Sequence, residues 1–245
     1  MTQALALPTR KSEDYRYADL TALEAAWPIA PKQVVLAAGE EGAMAVVHTS
    51  DAVVARDLEI RLGEGAKFAL HLLDAGTSYG RFVVRVTLGA EAEFTFGAAQ
   101  LAGSGQTLEV VTEVSHAAPD AVSRQIVRSV AANKSTVNYL GKVHVERGAD
   151  GTDGEQSVRA MLLDRTATAN ARPELEIYAD DVKCAHGCAV GELDAQALFY
   201  MAQRGLPPHE AKKLMLQAFV AEAFVGAQDE EQLLEGALEA LGKLV

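Results

Sequence analysis

Cysteine is scarce in this 245-residue sequence, which contains only Cys184 and Cys188. Two cysteines four positions apart cannot form the disulfide framework of a small secreted domain. Residues 1–10 also lack the basic start and long apolar stretch of a secretory signal peptide, because the apolar run at 4–7 ends at Pro8. These features predict a protein of the reducing cytoplasm.

Positive charge and long apolar runs are lacking as well. The 22 Lys and Arg residues face 34 Asp and Glu residues, which gives a formal net charge of −12. We therefore expect neither nucleic-acid binding nor attachment to an anionic membrane. No stretch approaches the roughly 20 apolar residues that span a bilayer. The phosphate loop Gly-x-x-x-x-Gly-Lys-Ser/Thr is also missing, so we expect no ATP hydrolysis by this chain.

Aromatic residues make up only 6% of the chain, whereas 49% of all residues are hydrophobic. The length suffices for one large domain with an appendage. Because Ala, Val, Leu and Gly supply most of the apolar content, we expect a narrow core of small side chains.

The middle of the chain, residues 33–192, predicts a β domain. Many runs alternate apolar and polar residues with period two, and Gly, Asp, Asn and Ser separate them. No helical pattern intervenes, which argues against βαβ layering. Eleven strands are predicted, at 34–37, 45–47, 58–62, 68–72, 82–88, 93–96, 107–114, 121–130, 137–145, 157–163 and 174–178.

A weak internal repeat suggests how these strands are arranged. Residues 62–68 (LGEGAKF) match residues 88–94 (LGAEAEF) at an offset of 26. A period in the twenties with glycines at the corners favours the stacked coils of a β-solenoid. A β-sandwich would give a similar number of strands, so periodicity alone leaves both folds open.

Two shorter zones flank the β domain. Residues 1–32 carry Tyr15, Tyr17 and Trp27, which we expect to pack onto that domain. Residues 193–245 predict three helices, with Asp194 as the first N-cap, Pro207 and Pro208 opening the second helix and acidic residues 229–231 opening the third. Apolar stripes are predicted at 214, 218, 221 and 225 and at 234, 238, 241 and 245. These helices would cover the open end of the sheet stack, dock a partner, or both.

One short segment combines potential metal ligands. Cys184 and His186 are two positions apart, so on a strand they would share a face, and Cys188 could add a third ligand. Asp180 and Asp181 lie just before them. A closed structural zinc site needs four ligands, and no second pair with suitable spacing is present. Without further context, a buried structural role for Cys184 and His186 is the alternative.

The same segment resembles the SufB/SufD family of iron–sulfur cluster assembly proteins. The similarity rests on residues 175–187 (LEIYADDVKCAHG) and continues at 151–156 (GTDGEQ), 161–164 (MLLD), 191–194 (GELD) and 203–206 (QRGL). The opening, residues 7–17 (LPTRKSEDYRY), is similar too. The specific likeness covers about residues 141–224 plus this opening. The Lys-Cys-x-His-Gly string favours the SufD branch.

The resemblance implies a right-handed parallel β-helix, here shortened, followed by C-terminal helices. It implies a non-catalytic scaffold that pairs with a SufB-like subunit, or with itself in isolation, and docks a SufC-like ATPase through those helices. No cofactor is expected to bind stably; an iron–sulfur cluster would form transiently at the interface with the SufB-like subunit.

The resemblance also implies particular residues. His186 matches a family histidine implicated in cluster formation, and Cys184 matches a neighbouring cysteine. Cys188 stands where the family usually has Ala, so it is either an additional ligand or a small core residue. The candidates for partner docking lie in the helical zone: Phe199, Tyr200, Arg204, Leu214, Phe219 and Phe224.

Two other functions stay open from the residues alone. A β-helix carbohydrate-active enzyme would need paired carboxylates, for which Asp57, Glu59, Asp180 and Asp181 are candidates. A stand-alone metal protein would use Cys184, His186 and Cys188. The acidic loop at 150–155 lacks the ligand spacing of an EF-hand and predicts a solvated turn.

Overall fold

A computed structural model describes residues 6–245; residues 1–5, where the apolar run at 4–7 begins, lie outside this part. Twelve strands form two parallel sheets of six, in the orders β1-β3-β5-β7-β9-β11 and β2-β4-β6-β8-β10-β12. The chain therefore alternates between the sheets, and each strand pair adds one coil. The strands are β1 Lys32–Leu36, β2 Glu41–His48, β3 Val54–Leu62, β4 Lys67–Asp74, β5 Gly80–Leu88, β6 Glu93–Ala102, β7 Thr107–His116, β8 Val122–Ala131, β9 Thr136–Val145, β10 Asp153–Leu162, β11 Thr168–Ile177 and β12 Lys183–Gly191.

The coils stack in register. Gln33 aligns with Glu59 at an offset of 26 residues, and Asn138 aligns with Asn170 at an offset of 32. Such consistently parallel pairing is that of a β-solenoid, so the solenoid prediction is confirmed and the sandwich alternative is wrong. All eleven predicted strands are present. The twelfth, β12, was not predicted, and it carries the candidate ligands.

The solenoid interior is more aromatic than its composition suggested. Phe68, Phe82, Phe94 and Phe96 are at most 5% exposed and pack between the sheets with Val, Leu and Ile. Six of the seven Phe residues in the chain are buried, four here and two under the helical tail. Most of the buried cluster is still Ala, Val and Leu, as expected, and these few aromatic side chains are added to it. Aromatic residues are few, but they are concentrated where burial is complete.

The N-terminal segment packs onto the outer face of the odd-numbered sheet. Its short helix α1, Leu20–Glu24, is capped by Asp19, whose carboxylate accepts two backbone N–H groups. Buried Arg81 donates to the Asp14 carbonyl, forms an ion pair with buried Glu109, and lies over the Tyr15 ring. As expected, Tyr15 contacts the β domain.

The C-terminal zone contains α2 Ala195–Gln203, α3 Pro208–Ala221 and α4 Glu230–Leu241. Asp194 caps α2 through the Gln196 N–H, as predicted, and α2 is followed by Gly205 with φ of +86°. As predicted, the two prolines open α3, which begins at Pro208 with Pro207 as its N-cap, and the acidic residues open α4, with Asp229 as its N-cap. None of the helices within residues 6–245 is long and apolar enough to cross a bilayer.

The tail lies against the outer face of the even-numbered sheet, not over the end of the stack. Phe219, Phe224 and Leu233 pack on Leu73 and Ala99 of that sheet. The predicted α3 stripe is wrong because Leu214 and Val225 are 52% and 69% exposed. The face that packs carries instead Leu216, Phe219, Val220, Ala223 and Phe224. On α4, Leu241 is buried as predicted. The other buried residues are Leu233 and Ala237, which precede the predicted positions 234 and 238 by one residue.

Candidate functional site

The candidate ligands lie on β12, which is an edge strand. Within the part of the chain that the structure describes, β12 pairs with β10 on one side only, and β11 likewise pairs only with β9. The last coil therefore presents unpaired backbone N–H and C=O groups at the end of the stack, here called the open end. Pro173 lies within β11, where a missing N–H is tolerated because the strand is at an edge. No proline interrupts β12, so β12 is the better template for an additional strand.

Register sets the direction of the three side chains. Cys184, His186 and Cys188 align with the inward positions of β10, namely Gly154, Gln156 and Val158. The three residues thus occupy one face of β12 and continue the interior columns. Because no further coil covers them, His186 and Cys188 are exposed, and Cys184 is partly buried.

The two thiols have different surroundings. Cys184 packs against Val143 and Val145, and burial is the main cause that raises its pKa. Burial also raises the pKa of Cys188, which lies 4.0 Å from the Ala171 carbonyl oxygen. Both thiols are therefore held protonated at neutral pH. A thiolate that binds metal would need an added positive charge at the site.

The interior below His186 is polar. Gln156 donates from Nε2 to the Tyr139 hydroxyl over 3.3 Å, and that hydroxyl is 2.9 Å from Thr112 Oγ1. Thr112 in turn donates to Gln125 Oε1 over 2.9 Å. Below Cys184, buried His116 is 2.9 Å from Ser123 Oγ. Sequence reasoning missed these groups, although Gln156 lies inside the quoted 151–156 motif.

Apolar side chains surround the open end. Ile177, Tyr178 and Val190 are 40%, 56% and 47% exposed. Their exposure beside an unpaired strand is typical of a protein interface.

The candidate ligands do not make a complete metal site. Among residues 6–245, no group of three or more His, Cys, Asp or Glu side chains is arranged to hold a metal ion. Cys184, His186 and Cys188 alternate along an extended strand, so their Cα atoms are roughly 7 Å apart in succession. Additional ligands would have to come from another molecule.

The predicted docking residues divide into two groups. Phe199 and Tyr200 on α2 are 65% and 58% exposed, and Leu214 on α3 is 52% exposed. Arg204 is exposed and lies over the Tyr200 ring at 5.0 Å. Phe219 and Phe224 do not fit a docking role, because they are 8% and 0% exposed and hold the tail on the sheet.

The four carboxylates proposed for a carbohydrate-active site fall into two pairs, which the fold does not bring together. Asp57 is on β3, where it pairs with Arg85 at 2.6 Å, and Glu59 contacts Gln33. Asp180 and Asp181 follow β11, which is four strands away in the same sheet. At about 4.8 Å per strand this is roughly 19 Å, whereas glycosidase carboxylates lie about 5–9.5 Å apart.

Comparison with known proteins agrees with the motif. Residues 36–219 match the family model for the SufBD core domain of the SUF iron–sulfur cluster assembly system. The SufD protein of Escherichia coli K12 is 36% identical over 108 residues, which cover 44% of this chain and 26% of SufD. The chloroplast protein ABCI7 of Arabidopsis thaliana is 30% identical over 185 residues, covering 75% of this chain and 38% of ABCI7.

A SufBD family protein of Synechocystis is 29% identical over 164 residues, which cover 66% of this chain and 36% of that protein. The matched region thus spans about a quarter to two fifths of the length of these relatives.

Proposed function

Because the chain belongs to the SufBD core family of the SUF iron–sulfur assembly system, we propose that it is a non-catalytic scaffold subunit of a cluster assembly complex. It pairs through its open end with a SufB-like subunit, and its helical tail docks a SufC-like ATPase. The iron–sulfur cluster is cargo that forms at the paired ends and is passed on.

The observation that carries this proposal is the incomplete set of ligands on an unpaired edge. His186 and Cys184 lie on the inward face of the last coil, uncovered at the open end of the solenoid, next to exposed apolar side chains and backbone groups without a strand partner in the described residues. A second solenoid that adds a strand to β12 would bury Val190 and bring its own ligands opposite His186. The imidazole nitrogen and the thiol would then bind iron from one side only. A second copy of this chain could occupy the same edge when the SufB-like subunit is absent.

The exposed face of the tail supports the second contact. Among residues 6–245, Phe199, Tyr200 and Leu214 remain largely exposed, while the opposite face of the tail is packed on the sheet. Aromatic residues with a neighbouring arginine are typical of the centre of a protein interface. ATP hydrolysis would reside on the docked subunit, and its closure would change the geometry of the paired open ends.

The test of the site is His186→Ala, co-expressed with SufB-like and SufC-like partners. We expect the complex to assemble, because the substitution removes an exposed side chain, but to yield at least about tenfold less cluster. Iron, labile sulfide and the visible absorption of the anaerobically purified complex are the measurements. Arg61→Ala, which removes an exposed side chain from β3, is the control.

Undiminished cluster in an intact His186→Ala complex would remove His186 from the mechanism. Stoichiometric iron and sulfide on the chain purified alone would instead favour the stand-alone metal protein.

A further inference from the structure

The solenoid interior changes character toward the open end. In the column that ends at His186, the inward residues are Leu70, Phe96, Gln125 and Gln156 from β4 to β10. The apolar core thus gives way to two buried amides in the last coils. Both are 1% exposed, so their polar atoms depend on partners inside the protein.

The hydrogen bonds in this column run in one direction. The Gln156 amide nitrogen donates to the Tyr139 hydroxyl, the hydroxyl can donate to Thr112, and Thr112 donates to the Gln125 carbonyl. Gly141 makes room for these hydrogen bonds, because a Cβ there would come within 2.1 Å of the Tyr139 hydroxyl. The amide nitrogen of Gln156 is thus used as a donor to Tyr139 inside the solenoid. Its carbonyl oxygen, Oε1, is buried and has no hydrogen-bond partner among the described residues.

An unpaired buried carbonyl is costly, and the register places one residue on each side of it in the column. On the inner side is Gln125, whose amide nitrogen is also buried and unpaired among the described residues, and on the outer side is His186. His186 aligns with Gln156 on the neighbouring strand, one strand nearer the open end. Side chains at aligned positions of parallel strands leave from backbones about 4.8 Å apart on the same face. No other side chain of the described residues lies beyond Gln156 in this column, because β12 is the last strand of its sheet.

We infer that Gln156 is a positioning residue for His186: its Oε1 accepts the N–H of the imidazole nitrogen that faces inward. A neutral imidazole has one N–H donor and one nitrogen lone pair. If the inward nitrogen carries the proton, the lone pair lies on the outward nitrogen, the only form that can bind a metal across the open end. The role in metal binding rests on the proposed function, whereas the tautomer is a property of this chain alone.

The experiment is a long-range ¹H–¹⁵N correlation spectrum of the histidine rings in the ¹⁵N-labelled chain at pH 8, with His186 assigned from His186→Ala. We expect a single dominant His186 tautomer in the unmodified protein. Gln156→Leu removes the acceptor, so the ring nitrogen shifts should move to the exchange-averaged values of free imidazole. Gln156→Glu, which keeps an oxygen at this position, should retain the dominant tautomer.

Gln100→Leu is the matched control, because Gln100 is a buried glutamine on β6 that is bonded to Ser129 and the Asn138 carbonyl. It should leave the His186 signals unchanged. Free-imidazole shifts for His186 in the unmodified protein would overturn the inference, and this result does not require that Gln156→Leu folds. If Gln156→Leu folds and His186 keeps its dominant tautomer, the inference is overturned as well. A preserved tautomer effect together with normal cluster yield from His186→Ala would remove His186 from cluster assembly and leave the positioning role of Gln156 standing.

Discussion

Two buried histidine side chains should make the stability of the fold depend on pH. His116 is fully buried on β7, and burial is the main cause that lowers its pKa to about 4. His71 is also buried, and burial lowers its pKa too. Both side chains are therefore neutral in the folded chain at pH values where an unfolded histidine is already charged.

The consequence is a loss of stability in mild acid. Below pH 6.5 His116 is protonated in the unfolded chain, whereas in the folded chain it stays neutral down to about pH 4. The free energy of unfolding should therefore fall as pH decreases through this window, with His116 contributing roughly 3 kcal/mol at most. His116→Asn should be less stable than the unmodified chain at pH 7.5 but show a shallower decrease between pH 6.5 and 4.5. Urea unfolding at a series of pH values measures both slopes, and parallel slopes would contradict the assignment.

At the residue scale, the sequence singled out the exposed candidate residues but not the buried polar residues beneath them. Cys184 and His186 were found because they lie in a motif of unusual residue types. Gln156 and Tyr139 were missed because a period of two predicts that residues face inward without showing which coil is polar inside. That information lies in the register between strands about 30 residues apart, which no local pattern contains.

At the element scale, the attachment of the tail depends on one glycine. Gly97 on β6 is buried, and a Cβ built there would lie 1.8 Å from the Ala223 carbonyl oxygen and 2.7 Å from the His71 ring. The backbone that follows α3 can approach the sheet this closely only because no side chain intervenes. Arg128 adds a polar anchor through its 2.7 Å ion pair with Glu222.

Gly97→Ala should therefore loosen the tail while the solenoid stays folded. We expect a loss of about 2 kcal/mol or more of stability, since the clash is with backbone that cannot move independently. Hydrogen exchange should rise in α3 and α4 and stay unchanged in β5, β7 and β9. Gly191→Ala is the matched control, because a Cβ at Gly191 meets nothing within 4 Å. Unchanged exchange in the tail of Gly97→Ala would show that the contact is not needed.

Elements with strong periodicity were predicted, and those without it were not. β12 reads Lys-Cys-Ala-His-Gly-Cys-Ala-Val-Gly and lacks alternating large apolar residues, because half of its neighbours are missing at the open end. The packed face of α3 was missed for a different reason. Apolar residues occur on both of its sides, and only the sheet beneath decides which side is buried.

At the scale of the whole molecule, the two proposed contacts are on different surfaces and should be separable. Val190 is 47% exposed at the open end, and Phe199 is 65% exposed on the tail. Val190→Lys should prevent the SufB-like subunit from binding while the SufC-like ATPase is retained, because a buried unpaired charge at the edge is strongly unfavourable. Phe199→Asp should do the reverse. Pull-down of both partners on the tagged chain is the measurement.

Val35→Lys is the control, because Val35 is 68% exposed on β1 at the far end of the stack. It should retain both partners. Loss of the SufB-like subunit from Val35→Lys, or its retention by Val190→Lys, would place that contact elsewhere.

The overall architecture was the most predictable level. One repeat at an offset of 26, combined with period-two runs, favoured stacked coils, and the family resemblance settled the choice between solenoid and sandwich. Local patterns could not give the lengthening of the coils from 26 to as many as 32 residues, because it is divided between longer strands and longer corners, and the composition of the corners resembles that of any turn.

In-register stacking also determines how sequence changes can compensate for one another. Each inward side chain has its nearest neighbours one coil before and one coil after it, so a gain in volume at one site is most easily offset 26 to 32 positions away. Correlated substitutions among relatives should therefore concentrate in a narrow band parallel to the diagonal of a covariation map, and the band should end at β12. Covariation between β12 and a second protein would then mark the continuation of the same column across a subunit boundary.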